Sequence, residues 1–229
     1  MKSVRILAAA GAPVAAAALL AGPALAKSPK VSVRVEGKSK TLLQTKAVKT
    51  PSSGFITKGG AKKGSCPSGG TAAGAFNRAI KGNWSGKSFS FGYEVNTILG
   101  ETVNNKTRYW EFFVNDRAAQ KGICDQKVKA GDQLLFADVP LKGGSEFPIV
   151  LTAPAKATVG KPFRVKAFYF PGKSNRTKPM SGVKLKGVKG TTNVKGVATV
   201  TAAKAGRLSI VGSKRNEIRS AATTVAVSR

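Results

Sequence analysis

The 229-residue chain contains no histidine. That removes imidazole general bases, His-dependent catalytic triads and every imidazole metal ligand. Cysteine is nearly absent too, with Cys66 and Cys124 alone, too few for a thiolate zinc site. A cysteine nucleophile has no histidine to activate it. Acidic residues number only 10, and they are scattered rather than grouped as a calcium loop requires. Asp116, Asp125 and Asp132 sit in predicted turns, where a short carboxylate bonds nearby backbone. Glu94 and Glu111 alternate with aromatics and are expected on the solvent side of strands. No GxSxG nucleophile elbow occurs, nor any GxxxxGK[ST] or GxGxxG phosphate loop. The basic, Gly-rich stretch 58–65 lacks the flanking strand and helix that a phosphate loop needs and reads as a solvated loop. The expectation is a protein that is not an enzyme, with no catalytic residues and no metal site.

Long apolar runs are missing beyond the first residues, so no transmembrane segment is expected in the exported chain. The beginning itself is apolar: MKSVR carries two bases, an Ala/Leu-rich run follows, and Ala24-Leu25-Ala26 supplies small residues for a signal peptidase. Residues 1–26 are read as a cleaved signal peptide, with the cut between Ala26 and Lys27. Gly11, Pro13, Gly22 and Pro23 interrupt the run and argue against a retained anchor. The expected location is secreted or extracellular, with association to the cell envelope as a further option. In an oxidising compartment Cys66 and Cys124 are expected to pair, a cross-link that stabilises by about 4 kcal/mol in the chain-entropy model. Two buried free thiols are the alternative.

What the chain has in excess is positive charge, 39 bases and a net charge of +29. Up to residue 142 the exported part holds 20 bases and 8 acids, and after it 17 bases and 2 acids, nets of +12 and +15. The charge therefore belongs to the whole molecule and not to a tail. Such a field attracts polyanions, which outside a cell are wall polymers, anionic lipids or acidic glycans more often than nucleic acid, so no nucleic acid is expected as partner. A basic composition that only keeps the protein soluble is the plainer reading.

Val31, Val33 and Val35 alternate with polar residues in a period-2 strand, and residues 41–48 form a second one. After the Gly/Ser/Lys-rich segment 51–70, Thr71 caps a predicted short helix whose apolar stripe is Ala72, Ala75, Phe76, Ala79 and Ile80, stopped by Gly82. The block SFSFGYEV is predicted as one strand with Phe89, Phe91, Tyr93 and Val95 on one face. YWEFFVN, residues 109–115, follows with a hairpin turn at Asn115-Asp116. Another turn at residues 129–132 leads into the strand QLLFA. This front module, residues 27–140, reads as a small α+β domain. A Gly-rich linker, 141–146, leads to residues 147–229. There PIVLTA, FRVKAFYF, VKLKGV, GVATVT, GRLSIVGS and TTVAVS form short strands at regular spacing, the pattern of an Ig-like β-sandwich. Its expected core is Val183, Leu185, Val188, Val197, Val200, Leu208, Ile210 and Val225.

Alternation in YWEFFVN places Tyr109, Glu111 and Phe113 on one face and Trp110 and Phe112 on the other. One set can fill the core while the other lines a ligand groove. The candidate ligand-binding residues are Trp84, Tyr93, Tyr109, Trp110 and Phe112. Cover by the helix or by the loop 51–70 is the competing reading of the outer set.

Cys66, Trp84 to Gly86, Tyr93 to Val95, Gly100-Glu101, YWEFFVND, Gly122-Ile123-Cys124 and AGDQLLF together resemble the transcobalamin C-terminal-like domain of unknown function found in secreted bacterial proteins. The resemblance spans about residues 31–140 and implies a β-grasp-like fold. In animal relatives this domain covers one face of cobalamin against a large helical barrel. No segment here can form that barrel, so cobalamin enters as a ligand only through the resemblance and no cofactor is expected. The back module is similar to bacterial Ig-like domains, which serve as spacers or adhesive stalks. The resulting expectation is a mostly β protein that binds a small molecule, of unknown identity, on its front domain and presents it from an Ig-like one. The alternative is a structural or adhesive envelope protein held to an anionic cell-envelope polymer by its basic surface.

Overall fold

The computed structural model describes residues 28–89, 92–142, 146–172 and 175–229. The signal segment with its Ala26–Lys27 cleavage site, Phe91 and the middle of the linker lie outside these residues. The fold is mostly β, with one α-helix among the described residues.

In the front part, β1 (Lys30–Glu36) and β2 (Thr41–Lys49) form a hairpin, and helix α1 (Ala72–Ala79) follows the loop. Next come β3 (Trp84–Phe89), β4 (Gly92–Ile98), β5 (Glu101–Thr102), β6 (Arg108–Val114), β7 (Arg117–Ala118) and β8 (Gln133–Pro140). The five-stranded sheet runs β2-β1-β8-β6-β7, with β1 and β8 parallel at its centre. A hairpin, a helix across the sheet and a last strand inserted parallel to the first make this a β-grasp-like unit. Strands β3, β4 and β5 form a separate small sheet.

The alternation of β1 decides what each sheet face meets. Val31, Val33 and Val35 turn toward α1 and join Phe76, Ile98, Leu134 and Phe136 in one core. Each large apolar side chain fully buried there contributes about 2 kcal/mol. Thr71 caps α1 by accepting from the Gly74 amide at 3.2 Å, and Gly82 ends the turn with φ +73°. Gly74 is required for another reason: a Cβ there would collide with the Ser68 carbonyl oxygen, because the loop lies directly on the helix. Cys66 and Cys124 form a disulfide across 58 residues that fastens this loop.

One strand expectation is corrected. SFSFGYEV is not a single strand: the chain reverses between Phe89 and Gly92, pairing Ser88 with Tyr93 and Phe89 with Gly92. The period of two continues through the reversal, so alternation alone does not reveal it.

The back part contains β9 (Val150–Thr152), β10 (Lys156–Thr158), β11 (Pro162–Tyr169), β12 (Lys178–Pro179), β13 (Lys184–Lys186), β14 (Val197–Thr201), β15 (Gly206–Ser213) and β16 (Thr223–Ser228). One sheet runs β10-β16-β15-β13 and the other β12-β11-β14 with β9 beside β11. Val165, Ala167, Ala198 and Val200 of the second sheet meet Leu185, Ile210, Val225 and Val227 of the first in one core, which is a two-sheet sandwich. Val197 is not in that core. Ala198 and Val200 are the buried residues of β14, and positions three apart on a strand face opposite ways.

The second face of the front sheet is covered by the back part. Phe113, Leu135, Ala137 and Val139 pack against Ile218, which lies between β15 and β16. Arg34 and Glu36, on the polar side of β1, are 5% and 2% exposed. Arg34 Nη1 donates to Glu36 Oε1 and to the Arg219 carbonyl, both at 2.7 Å. Arg219 donates to Glu36 Oε2 at 2.8 Å and to the Gly37 carbonyl at 2.6 Å. The Arg117 guanidinium lies 3.8 Å from the centre of the Phe170 ring across the same seam.

Candidate functional site

Strand β6 pairs with β8 along its whole length, whereas β7 covers its other side only at Phe113 and Val114. The Ala119 amide donates to the Phe112 carbonyl at 2.9 Å, so the backbone of Phe112 points away from β8. Strand geometry gives Trp110 the same direction. The first half of β6 is thus an open sheet edge among the described residues. It borders a cleft of about 350 Å3 between β6 and β4.

Tyr93, Tyr109, Trp110 and Phe112 all line this cleft, with Val95 and Ile123 filling the apolar wall. Glu94, Glu111, Asn105 and Lys121 supply the polar groups. Tyr109 is 37% exposed and Trp110 is 9% exposed, so the tyrosine is a contact surface and the tryptophan mainly a wall. Trp110 Nε1 donates to the Asn96 carbonyl at 3.2 Å, which ties β6 to β4 across the base of the cleft. Glu94 accepts a hydrogen bond from Asn105. Tyr109 donates to Glu111 at 3.3 Å. Burial raises the Glu111 carboxyl above its ordinary range, against a lowering by the Tyr109 hydrogen bond. Burial first, then the Glu111 charge, raises the Tyr109 phenol.

Trp84, the fifth candidate, does not line the cleft. It is 5% exposed and its Nε1 donates to Asn77 Oδ1 at 2.8 Å. It belongs to a continuous aromatic series that starts and ends at the cleft. Tyr93 meets Trp84 edge-on at 5.2 Å, and Trp84 meets Phe76 at 5.6 Å. Phe76 stacks on Phe136 at 4.0 Å, and Phe136 on Phe112 at 4.9 Å. Trp84 therefore holds Tyr93 in place rather than presenting a surface. Lys58 fixes it from the other side, with Nζ 5.4 Å from the ring centre and donating to the Gly82 and Trp84 carbonyls at 2.6 and 3.0 Å. The Tyr93 hydroxyl donates to the Lys58 carbonyl at 2.6 Å, and burial raises its pKa. The Gly-rich stretch around Lys58 is thus docked on the module, not merely solvated.

Sequence reasoning missed Asn77, Asn96 and Phe136. The signal was present for the first two, since a buried indole N–H needs an acceptor, but spacing does not say which residue supplies it. Among the described residues no group of three or more acidic or cysteine side chains is placed to hold a metal.

A second feature was invisible in the sequence. Two cavities of about 360 and 500 Å3 lie along the seam between the front sheet and the back part. Glu36, Glu111, Asp116, Asp138, Glu146 and Glu217 line them, six of the chain's 10 acids. Burial raises the carboxyls of Asp116, Asp138, Glu146 and Glu217, with Arg34 and Arg117 opposing the rise at Asp116 and Arg108 opposing it at Asp138.

A family model described as Domain of unknown function (DUF4430) matches residues 75–137, the span from α1 into β8. Among solved structures, haptocorrin in complex with Cbi is similar at 18% identity and a TM-score of 0.37, over 49% of this chain and 25% of haptocorrin. The chain thus corresponds to about a quarter of haptocorrin's length. A protein from Ruminococcus gnavus ATCC 29149, described as a putative metal binding protein, is similar at 12% identity and a TM-score of 0.35, over 51% of this chain and 99% of that one. No curated protein matches the chain. The matched family span lies wholly within the stretch that carries the resemblance to the transcobalamin C-terminal-like domain of unknown function and includes every residue of the aromatic series.

Proposed function

We propose that the chain is an exported, non-enzymatic binding protein that holds a small molecule in the β4–β6 cleft, with the Ig-like back module presenting the front one. The observation that carries this reading is the cleft itself: four of the five aromatics singled out by the sequence converge on one opening of about 350 Å3 beside an open sheet edge. A cavity of this size, apolar with a few polar groups at its rim, is the usual form of a small-molecule site. The open backbone of β6 adds donors and acceptors that fix a ligand's orientation. The chain's lack of histidine supports binding over chemistry, and the basic-then-apolar beginning supports export.

The test is to isolate the exported chain from its native cells and identify co-purifying small molecules by mass spectrometry, beside the Phe112→Ser and Tyr109→Ser variants. Tyr109 is exposed and Phe112 half-buried, so both variants should keep the fold. The expected result is a stoichiometric compound with the parent chain and its loss with either variant. Added cyanocobalamin serves as a defined probe of the resemblance. A chain that is empty, or a compound retained by both variants, overturns the cleft as the site.

A further inference from the structure

The linker and back module together contain two acids, Glu146 and Glu217, and both are committed to the seam. Glu217 accepts from the Phe147 amide at 2.9 Å, and Glu146 lines both seam cavities. The far side of the module is left with no acidic side chain to balance its bases. This is clearest on the sheet β10-β16-β15-β13, whose inner face is fixed by Leu185, Ile210, Val225 and Val227 in the core.

Cross-strand partners share a face, so the register defines what points outward. Lys156 pairs with Ala226, and Ala226 with Arg207. Thr224 pairs with Ser209. Lys186 pairs with Val211 and Lys184 with Ser213. The outer face thus carries Lys156 and Arg207 at one end and Lys184 and Lys186 at the other, with Ser209 and Thr224 between. All four bases are exposed, and among the described residues none is in an ion pair. Arg207 and Val211 are four residues apart on β15, so the two cationic ends are separated by about 13 Å at the rise of a strand.

We infer that this face is a docking surface for a linear phosphodiester polymer of the cell envelope, an inference separate from the cleft and resting on export. A small anion reaches one cationic end, whereas a chain crossing the sheet reaches both and the hydroxyls between. Lysine ammonium groups and Ser/Thr hydroxyls both donate to phosphate oxygens without requiring the bidentate geometry that favours arginine at carboxylates. The face offers no aromatic on which a base could stack and no element to enter a groove, which disfavours nucleic acid.

The experiment measures binding of the exported chain to poly(glycerol phosphate) across a salt series, for two variants of equal charge loss. One carries Lys156→Ser, Lys184→Ser, Lys186→Ser and Arg207→Ser. The other carries Lys49→Ser, Lys62→Ser, Lys63→Ser and Lys127→Ser, all exposed positions of the front module. Far-UV circular dichroism checks that both are folded. The expected result is affinity that falls steeply with salt, a loss of about tenfold or more for the first variant with a shallower salt slope, and a much smaller loss for the second. Equal losses in the two variants overturn the face as the site. Tighter binding to duplex DNA or to phosphatidylglycerol vesicles than to the polymer overturns the assigned partner.

Discussion

The two parts of the molecule solve the same problem with different materials. The front core is built on stacked aromatics, a helix and a disulfide, while the back core is almost wholly aliphatic and held between two sheets. Large rings leave irregular space at a sheet edge, and the cleft lies where the aromatic series comes to the surface. Valine, isoleucine and alanine dominate the buried back core, and the opening that the back part has, about 440 Å3 between residues 187–189 and 201–208, is lined without a single aromatic. Acidic residues divide the same way: the front has carboxylates at its cleft, while Glu146 of the linker and Glu217 of the back part both lie at the seam.

The sharpest way to break this contrast is to remove the disulfide. Cys124→Ala with Cys66→Ala should cost about 4 kcal/mol, the chain-entropy value for its 58-residue separation. Urea denaturation followed by tryptophan fluorescence reads the front alone, because Trp84 and Trp110 are the chain's two tryptophans.

Next is the seam. Glu36→Gln leaves Arg34 and Arg219 facing each other without their shared carboxylate, at a cost of about 3 kcal/mol for an unmatched buried charge. Calorimetry should resolve one transition in the parent and two in this variant; a single unshifted transition would show that the ion pairs do not couple the parts.

A smaller effect is expected for Thr71→Ala, about 1 kcal/mol from the lost cap, read as a lower midpoint in the same urea series. It confines the perturbation to α1.

The smallest expected effect is a pH dependence peculiar to the seam. Burial raises the carboxyls of Glu111, Asp116 and Glu146. A raised folded pKa contributes stability that is fully present below the unfolded pKa and lost as pH rises through the folded one. The parent chain should therefore gain stability, relative to a Glu111→Gln, Glu146→Gln variant, as pH falls from neutral into the ordinary carboxylate range near about 4. Thermal melts of both proteins across that window measure the difference, in which the growing positive charge of the whole molecule largely cancels.

Alternation made much of this legible. Val31, Val33 and Val35 announced a buried face of β1, and YWEFFVN announced two faces of β6, of which the Trp110 and Phe112 side does join the front core. What alternation gives is the number of faces, not what covers each. Ser32, Arg34 and Glu36 are the polar side of that alternation, yet Arg34 and Glu36 are buried because another part of the chain lies on them. Likewise the helix was written locally in Thr71, Ala72 and Phe76, whereas the pairing of β1 with β8 joins residues about a hundred positions apart and leaves no local trace. Trp84 was recognised as important, but only its neighbours Tyr93 and Phe76 reveal that it supports the cleft from behind.

Much of the back part's side of the seam is gathered on a single segment. Glu217, Ile218 and Arg219 all fall between β15 and β16, and they supply the backbone clamp on residues 147–149, the apolar plug and the cationic arm. If the back sheet is tethered to a polymer, those three residues brace the front part against the tether, beside the linker that joins the two parts. The segment then works as a rigid elbow, holding the mouth of the cleft at a constant bearing to the wall beneath it. Inserting a few residues at its tip, near Asn216, would turn that elbow into a swivel while leaving both cores whole.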